Sequence, residues 1–313
     1  KVHMSSQFMS FEPFVTEVRK VLAPRIARLV LIMLAWCVLS SQHVFASDTL
    51  SLVYPRPVSA FDRRSEYPLK LLELALQKAG KAYALNPSVA VMNKARVTEE
   101  LVSGKEINVV WMVTSIEREE RLLPIRICIF KGLGGWRISL VKKEKLESFA
   151  GVRNLDDLRK FKAGQQIDWP DTAILRASGI SVETTATYDS LFQMLIRDRF
   201  DWFPRNIPEI WAEAEIHADK GVVVEPHFLV RYPSAYYFFV NRKDVSLANA
   251  IEEGLEKALK DGSFDKLFLE YHGDVLARAN VKNRTIIELP NPFLPPLTPL
   301  KRKDLWFDTR MLK

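Results

Sequence analysis

The chain has 313 residues, 48% apolar and 27% charged, the balance of a globular protein long enough to bury one or two substantial cores, which argues against disorder. Its formal charge of +7 falls to +4 once residues 1–46, with five basic and two acidic side chains, are set aside; the remaining cations are interspersed with acidic residues, which argues against nucleic acid as a partner. Cys37 and Cys128 are the only cysteines, too few for a cysteine-based metal site.

The first predicted element is a leader. Residues 19–46 run from basic (Arg19, Lys20, Arg25, Arg28) through an apolar run, Leu29 to Leu39, to Val44 and Ala46 at small-residue cleavage spacing, the order of a secretory signal peptide. The apolar run falls short of the ~20 residues that a membrane span requires. Trp36, just before Cys37, is too bulky for a lipobox. Cleavage after Ala46 is expected, with residues 1–18 an over-long start. A mature chain with Cys128 alone forms no internal disulfide, and export without disulfides points to a bacterial periplasm.

Strand "TLSLVYP" (49–55), helix "SEYPLKLLELALQKAG" (65–80), strand "AYALNPS", helix "NKARVTEELVSGK" and strand "INVVWMVT" (107–114) make a βαβαβ series and hence a mostly parallel sheet. A β-rich stretch, "IRICIFKGLGGWRISLVKKE", then reads as strands passing between lobes. A second series follows: helix "NLDDLRKFK", strand "GQQIDW", helix "DTAILRASG", strand "SVETTA", helix "YDSLFQMLIRDR", strand "FDWFP" and helix "NIPEIWAEAEIHADKG". The strand-rich "VVVEPHFLVRYPSAYYFFVNRKD" returns to the first unit, and residues 246–273 add two helices. The expected architecture is therefore α/β and two-lobed, with mixed, mostly parallel sheets: lobe 1 from 47–142 plus 234–275, lobe 2 from 143–233, and a tail from 276 to 313. Five prolines between 290 and 299 predict that the tail runs extended over a lobe surface, and leave a polyproline ligand for a partner as the other reading.

In open parallel sheets ligands sit beyond the carboxyl ends of the strands. Those ends carry Tyr54 and Arg56; Thr114, then Ser115 as N-cap and Arg118 in the first helical turn; Trp169, then Asp171 and Thr172 at a helix start; and Arg205, followed by Asn206 and Glu209 in capping-box spacing. An arginine near a helix N-terminus is unfavourable by roughly 0.3–1 kcal/mol unless an anion sits between guanidinium and N–H groups. Two readings stay open for each. Arg118 pairs with Glu117 or Glu120, and Arg205 with Asp201 or Glu209, or both grip a ligand. Trp136, Trp202, Lys131 and Arg137 are further candidates whose plainer reading is packing or exposed hairpin charge. His227 and His272 lack partners at metal-ligand spacing, so neither metal nor cofactor is expected.

The signal peptide, nested αβ lobes, "SIEREERLLPI" after the third strand and the closing "LANAIEEGLEKALKDGSFDKLFLEY" resemble the periplasmic solute-binding proteins of the polar amino-acid (family 3) type over residues 48–275. The resemblance implies the type II periplasmic-binding fold, an interlobe cleft and a small solute, delivered by a monomer to an ABC-type membrane permease or a receptor. It implies that Arg118 grips a ligand carboxylate with Ser115 nearby, that Tyr54 lines the cleft, and that Thr172 offers a hydroxyl. Two departures matter. Val113 stands where relatives have a hydroxyl, and Arg205 stands where they often hold an ammonium with Asp, which favours an anionic solute held by both lobes. Asp201 is the acceptor if the register shifts. An enzyme on the same scaffold, of the cyclohexadienyl-dehydratase type, would need a cleft carboxylate, for which Asp171 is best placed.

Overall fold

The computed structural model describes residues 49–57 and 63–312; the leader, its cleavage site and Cys37 lie outside them. The first lobe opens with β1 (Leu50–Tyr54), α1 (Glu66–Lys78), β2 (Tyr83–Pro87), α2 (Lys94–Ser103) and β3 (Val109–Val113). Leu71, Leu72, Ala75 and Leu76 recur at helical spacing on α1, and that stripe is buried. Then come α3 (Ile116–Arg121) and β4 (Leu123–Ile125). The chain crosses over residues 126–135 into β5 (Trp136–Lys142), followed after short helical turns by β6 (Ala163–Gln166), α4 (Pro170–Ala177), β7 (Val182–Thr185), α5 (Tyr188–Ile196), β8 (Trp202–Asn206), α6 (Ile210–Ile216), β9 (Val222–Val224) and β10 (Phe228–Arg231). A second crossover, residues 232–235, leads to β11 (Tyr236–Val240), α7 (Val245–Lys260), α8 (Ser263–Arg278) and β12 (Thr285–Glu288).

The strand order repeats in both lobes. In the first, β1 pairs with β2 in parallel, and β11 runs antiparallel between β3 and β4. Asn108, just before β3, joins the two parts: its Oδ1 accepts from Val53 N at 2.8 Å and its Nδ2 donates to the Ser51 carbonyl at 2.8 Å, standing in for ladder bonds. In the second, β6 pairs in parallel with β7 and β8, and β5 runs antiparallel between β8 and β9. Each lobe thus reads second, first, third, then an antiparallel strand donated by the chain as it crosses over. Those donated strands are the most buried: β11 holds four fully buried apolar side chains, and only Lys142 of β5 is not buried.

The crossovers touch. Tyr232 N donates to the Gly135 carbonyl at 3.1 Å, and a Cβ at Gly135 would lie 1.9 Å from the Tyr232 carbonyl oxygen, so only glycine fits. Three expectations are corrected. Residues 136–142 belong to the second sheet, because β5 ladders with β8 over five residue pairs, so the first crossover lies at 126–135 and not beyond 142. The helix expected from Asn206 begins at Ile210, since β8 continues through Asn206, paired with Arg137. The tail does not merely run over a surface: β12 extends the second sheet beside β10, and Leu289, Leu305 and Phe307 are buried.

Candidate functional site

Tyr54 ends β1, where its ring lies 6.0 Å from that of Trp111. Arg56 follows, exposed, with its Nε on the Ser88 carbonyl at 2.7 Å. Ser115 caps α3 as expected, its Oγ accepting from Arg118 N at 3.2 Å. That cap aims the Arg118 side chain back along the strand it follows, and Nη1 donates to the Val113 carbonyl at 2.8 Å. Neither Glu117 nor Glu120 pairs with it; among the described residues Arg118 has no carboxylate within ion-pair distance. Thr114 turns the other way, its buried hydroxyl donating to Glu119 Oε1 at 2.6 Å, while Glu119 also holds Arg126 at 2.6 Å. The glutamate that follows Arg118 is therefore spent on Thr114 and Arg126, which leaves the guanidinium its charge.

The second lobe resolves its arginines differently. Arg205 is not at a helix start but inside β8, 8% exposed, with Nε and Nη2 bound to Glu213 at 2.7 and 2.5 Å and Nη2 also on Glu209 at 3.0 Å. Its guanidinium carbon lies 4.9 Å from the ring centre of Trp169, 5.0 Å from Phe203 and 5.4 Å from Tyr188. The Asn206–Glu209 capping box is absent because both side chains serve arginines: Glu209 holds Arg205, and the Asn206 Oδ1 accepts from Arg137 Nη1. Two-toothed pairing with Glu213 fills the donor edge that an incoming anion would need, so the reading of Arg205 as an anion receptor gives way to an internal ion pair.

Arg137, also 8% exposed, donates through Nε to Asp171 Oδ1 at 2.6 Å, and the Tyr232 hydroxyl donates to the same oxygen. Asp171 is thus no N-cap; Trp169 occupies that position, without a side-chain cap bond. Burial pushes the Asp171 pKa up, but the Arg137 charge and the two hydrogen bonds outweigh it and hold the carboxyl below its ordinary value. Thr172, 3% exposed, donates its hydroxyl proton to the Gln166 carbonyl at 2.7 Å and so has none left to donate to a ligand. Asp201 serves Lys145 at 2.8 Å and Lys162 N at 2.9 Å, away from the arginines. Lys131 is no exposed hairpin charge either: 2% exposed, it pairs with Asp265 at 2.7 Å.

One residue that sequence reasoning missed stands where the second crossover enters the first lobe. Tyr236 opens β11 directly after the second crossover and lies opposite Val113, whose carbonyl carries Arg118. Burial raises its hydroxyl pKa; Arg137 and Arg118 pull it down, while Asp171 and Glu209 push it up. The hydroxyl has no hydrogen-bond partner among the described residues. Within "SAYYFFV" the signal was the partly exposed first aromatic of an otherwise buried strand, visible only once pairing was known.

The strand order and the paired crossovers define the two-lobed type II periplasmic-binding fold. No family model and no curated protein matches the sequence. Among solved structures the chain is similar to an ancestral arginine-binding protein bound to arginine, with 21% identity over 71% of this chain and 97% of that one and a TM-score of 0.45. It is similar to substrate-binding domain 2 of Lactococcus lactis GlnP in an open conformation, with 14% identity over 72% and 96% and a TM-score of 0.49. A third is an ancestral amino acid-binding protein described as a precursor of cyclohexadienyl dehydratase, with 17% identity over 71% and 94% and a TM-score of 0.43. Among the described residues no three His, Cys, Asp or Glu gather as metal ligands, and no helix is long and apolar enough to cross a membrane.

Proposed function

We propose that the chain is a solute-binding protein that captures a small carboxylate-bearing solute between its lobes, with Arg118 as the grip. The observation that carries this reading is the uncompensated Arg118 guanidinium, which rests on the carbonyl of Val113, the residue paired with Tyr236 at the start of β11. Tyr54, Trp111 and Arg56 border the first-lobe side, and Trp169 the second. With Arg205 neutralised by Glu213 and Glu209, one carboxylate held by Arg118 replaces the doubly held anion as the preferred chemistry, as an amino-acid-like compound carries. The leader-like N-terminus supports a periplasmic setting, with a monomer handing its solute to a permease or acting on a receptor in trans.

Proton-transfer catalysis by Asp171 is the weaker reading, because a carboxylate pinned by Arg137 and Tyr232 and held below its usual pKa is a poor proton carrier near neutrality. The test is a thermal-shift screen of the purified chain against amino acids, dicarboxylates and small peptides. A solute at a hundred times its dissociation constant adds about 2.7 kcal/mol of apparent stability. Arg118→Ala should remove the shift; a variant that still responds like the parent protein sinks the proposal.

A further inference from the structure

The lobes are tied together by more than the two crossovers. After α8 the chain returns to the second lobe, where buried Arg284 donates to the Ala279, Glu225 and Phe228 carbonyls, and β12 pairs with β10. Ile287 and Leu289 sink into the second lobe's core. The tail then fastens to the end of β10, where Leu289 N donates to the Arg231 carbonyl at 2.8 Å, and to the second crossover, where Asn291 Nδ2 donates to the Pro233 carbonyl at 2.8 Å. At its far end it fastens to the first crossover and to the first lobe. Phe307 N donates to the Lys131 carbonyl at 2.7 Å, the Trp306 ring packs over Gly132, and Arg302 holds Glu256 of α7. Phe307 packs between Trp136, edge-on at 5.1 Å between ring centres, and Phe268 of α8, tilted at 5.8 Å.

Pro290 sits within the first set of anchors, and Pro292, Pro295, Pro296 and Pro299 lie between the two. The segment is a run of turns, closed by Leu294 N on the Asn291 carbonyl at 3.4 Å, Thr298 N on the Pro295 carbonyl at 3.0 Å and Arg302 N on the Pro299 carbonyl at 3.2 Å, and the fixed φ of proline stiffens those turns so that the segment neither stretches nor shortens freely. Opening or closing a two-lobed protein requires changes of φ and ψ in the crossover strands. Here one stiff segment is bonded to both crossovers and seated at its ends in different lobes. We propose that the Pro-rich tail is a brace that sets the angle between the lobes and restrains its change. The inference does not depend on what the cleft binds.

The experiment reads the interlobe distance by pulsed electron spin resonance. Spin labels go on the full chain carrying Cys37→Ser, Lys105→Cys in the first lobe and Lys160→Cys in the second, both positions being exposed. Cys128, fully buried and with its thiol pushed up to about 11 by burial, stays unlabelled. In one variant the five prolines become serine with every anchor kept. In a second, residues 293–297, which include exposed Phe293 and Leu297, are replaced by a protease site that is cut after folding. Circular dichroism verifies that each is folded. The brace predicts a distance distribution at least about twofold broader in the serine variant and in the cut chain than in the parent protein. An unchanged mean and width in either folded variant overturns it. Should the serine variant unfold, the cut chain decides, since it carries the parent sequence at every anchor.

Discussion

In the first lobe Arg118 rests on the carbonyl of Val113 and Arg56 on that of Ser88, whereas in the second Arg137 and Arg205 are each buried against a carboxylate. All four stand near strand ends, and the sequence pattern around Arg118 and Arg205 is alike: an apolar strand, an arginine, glutamates at helical spacing. A carbonyl orients a guanidinium and leaves its charge; a buried carboxylate fixes it and cancels the charge. The difference arises from direction of approach. Arg118 bends back onto its own strand, away from Glu117 and Glu120, while Arg205 points from within β8 at α6, whose Glu213 is itself buried.

The sharpest way to break this contrast is Arg205→Ala. It strands a buried Glu213 and should cost about 3–5 kcal/mol in chemical denaturation, as loss of one partner of a buried pair does. Replacing both partners, Arg205→Met with Glu213→Leu, should recover most of the loss, because no charge is then left uncompensated. A cost below about 1 kcal/mol for Arg205→Ala would mean a solvated guanidinium and would restore the anion-receptor reading of this side chain.

How much of this was legible depends on whether the deciding partner is local. The βαβαβ order and the Ser115 cap three residues before the backbone N–H it binds were both readable within a few residues. Arg205 was not, because its state depends on β8 laddering with β5, which carries Arg137 some 70 residues earlier and so takes Asn206 from the capping role. Thr172 looked like a donor at a helix start, but its hydroxyl closes on the Gln166 carbonyl, a choice made by the turn between β6 and α4. Tyr236 hid inside a strand that reads as pure core, and only its pairing with Val113 brings it to Arg118. The tail's prolines excluded helix correctly, but nothing local shows that Leu305 and Phe307 reach a core.

pH extends the comparison to buried titratable groups. His272, in the first lobe, lies among Tyr67, Phe130 and Phe268 with its Nε2 buried and unpartnered, and burial lowers its pKa to about 4. The unfolded chain, titrating near 6.5, takes the proton first. This contribution to stability is therefore whole above about pH 6.5 and is lost as pH falls toward 4, by up to about 3 kcal/mol. Asp171 in the second lobe, its pKa depressed chiefly by Arg137 against the opposing effect of burial, contributes stability that is present above its unfolded value of about 3.9 and is lost only at lower pH. Denaturation midpoints between pH 7 and 4.5 should thus decline in the parent protein and flatten in His272→Phe, while Asp171→Asn lowers stability throughout that range without changing the slope.

The smallest effect on stability belongs to Arg118→Ala, and its smallness is the point. The side chain gives up one hydrogen bond to a carbonyl and no ion pair, while Ser115 still caps α3 through the backbone N–H of residue 118. A loss within about 1 kcal/mol is expected, against about 3–5 kcal/mol for Arg205→Ala. Arg118→Lys keeps the charge but not the planar fork, so it should be as stable as the parent protein and hold a carboxylate more weakly. If Arg118→Ala instead destabilised the chain as much as Arg205→Ala, Arg118 would be a structural arginine. The first lobe would then no longer present a cation held for an external partner, and the distinction between the lobes would reduce to which acid each arginine uses.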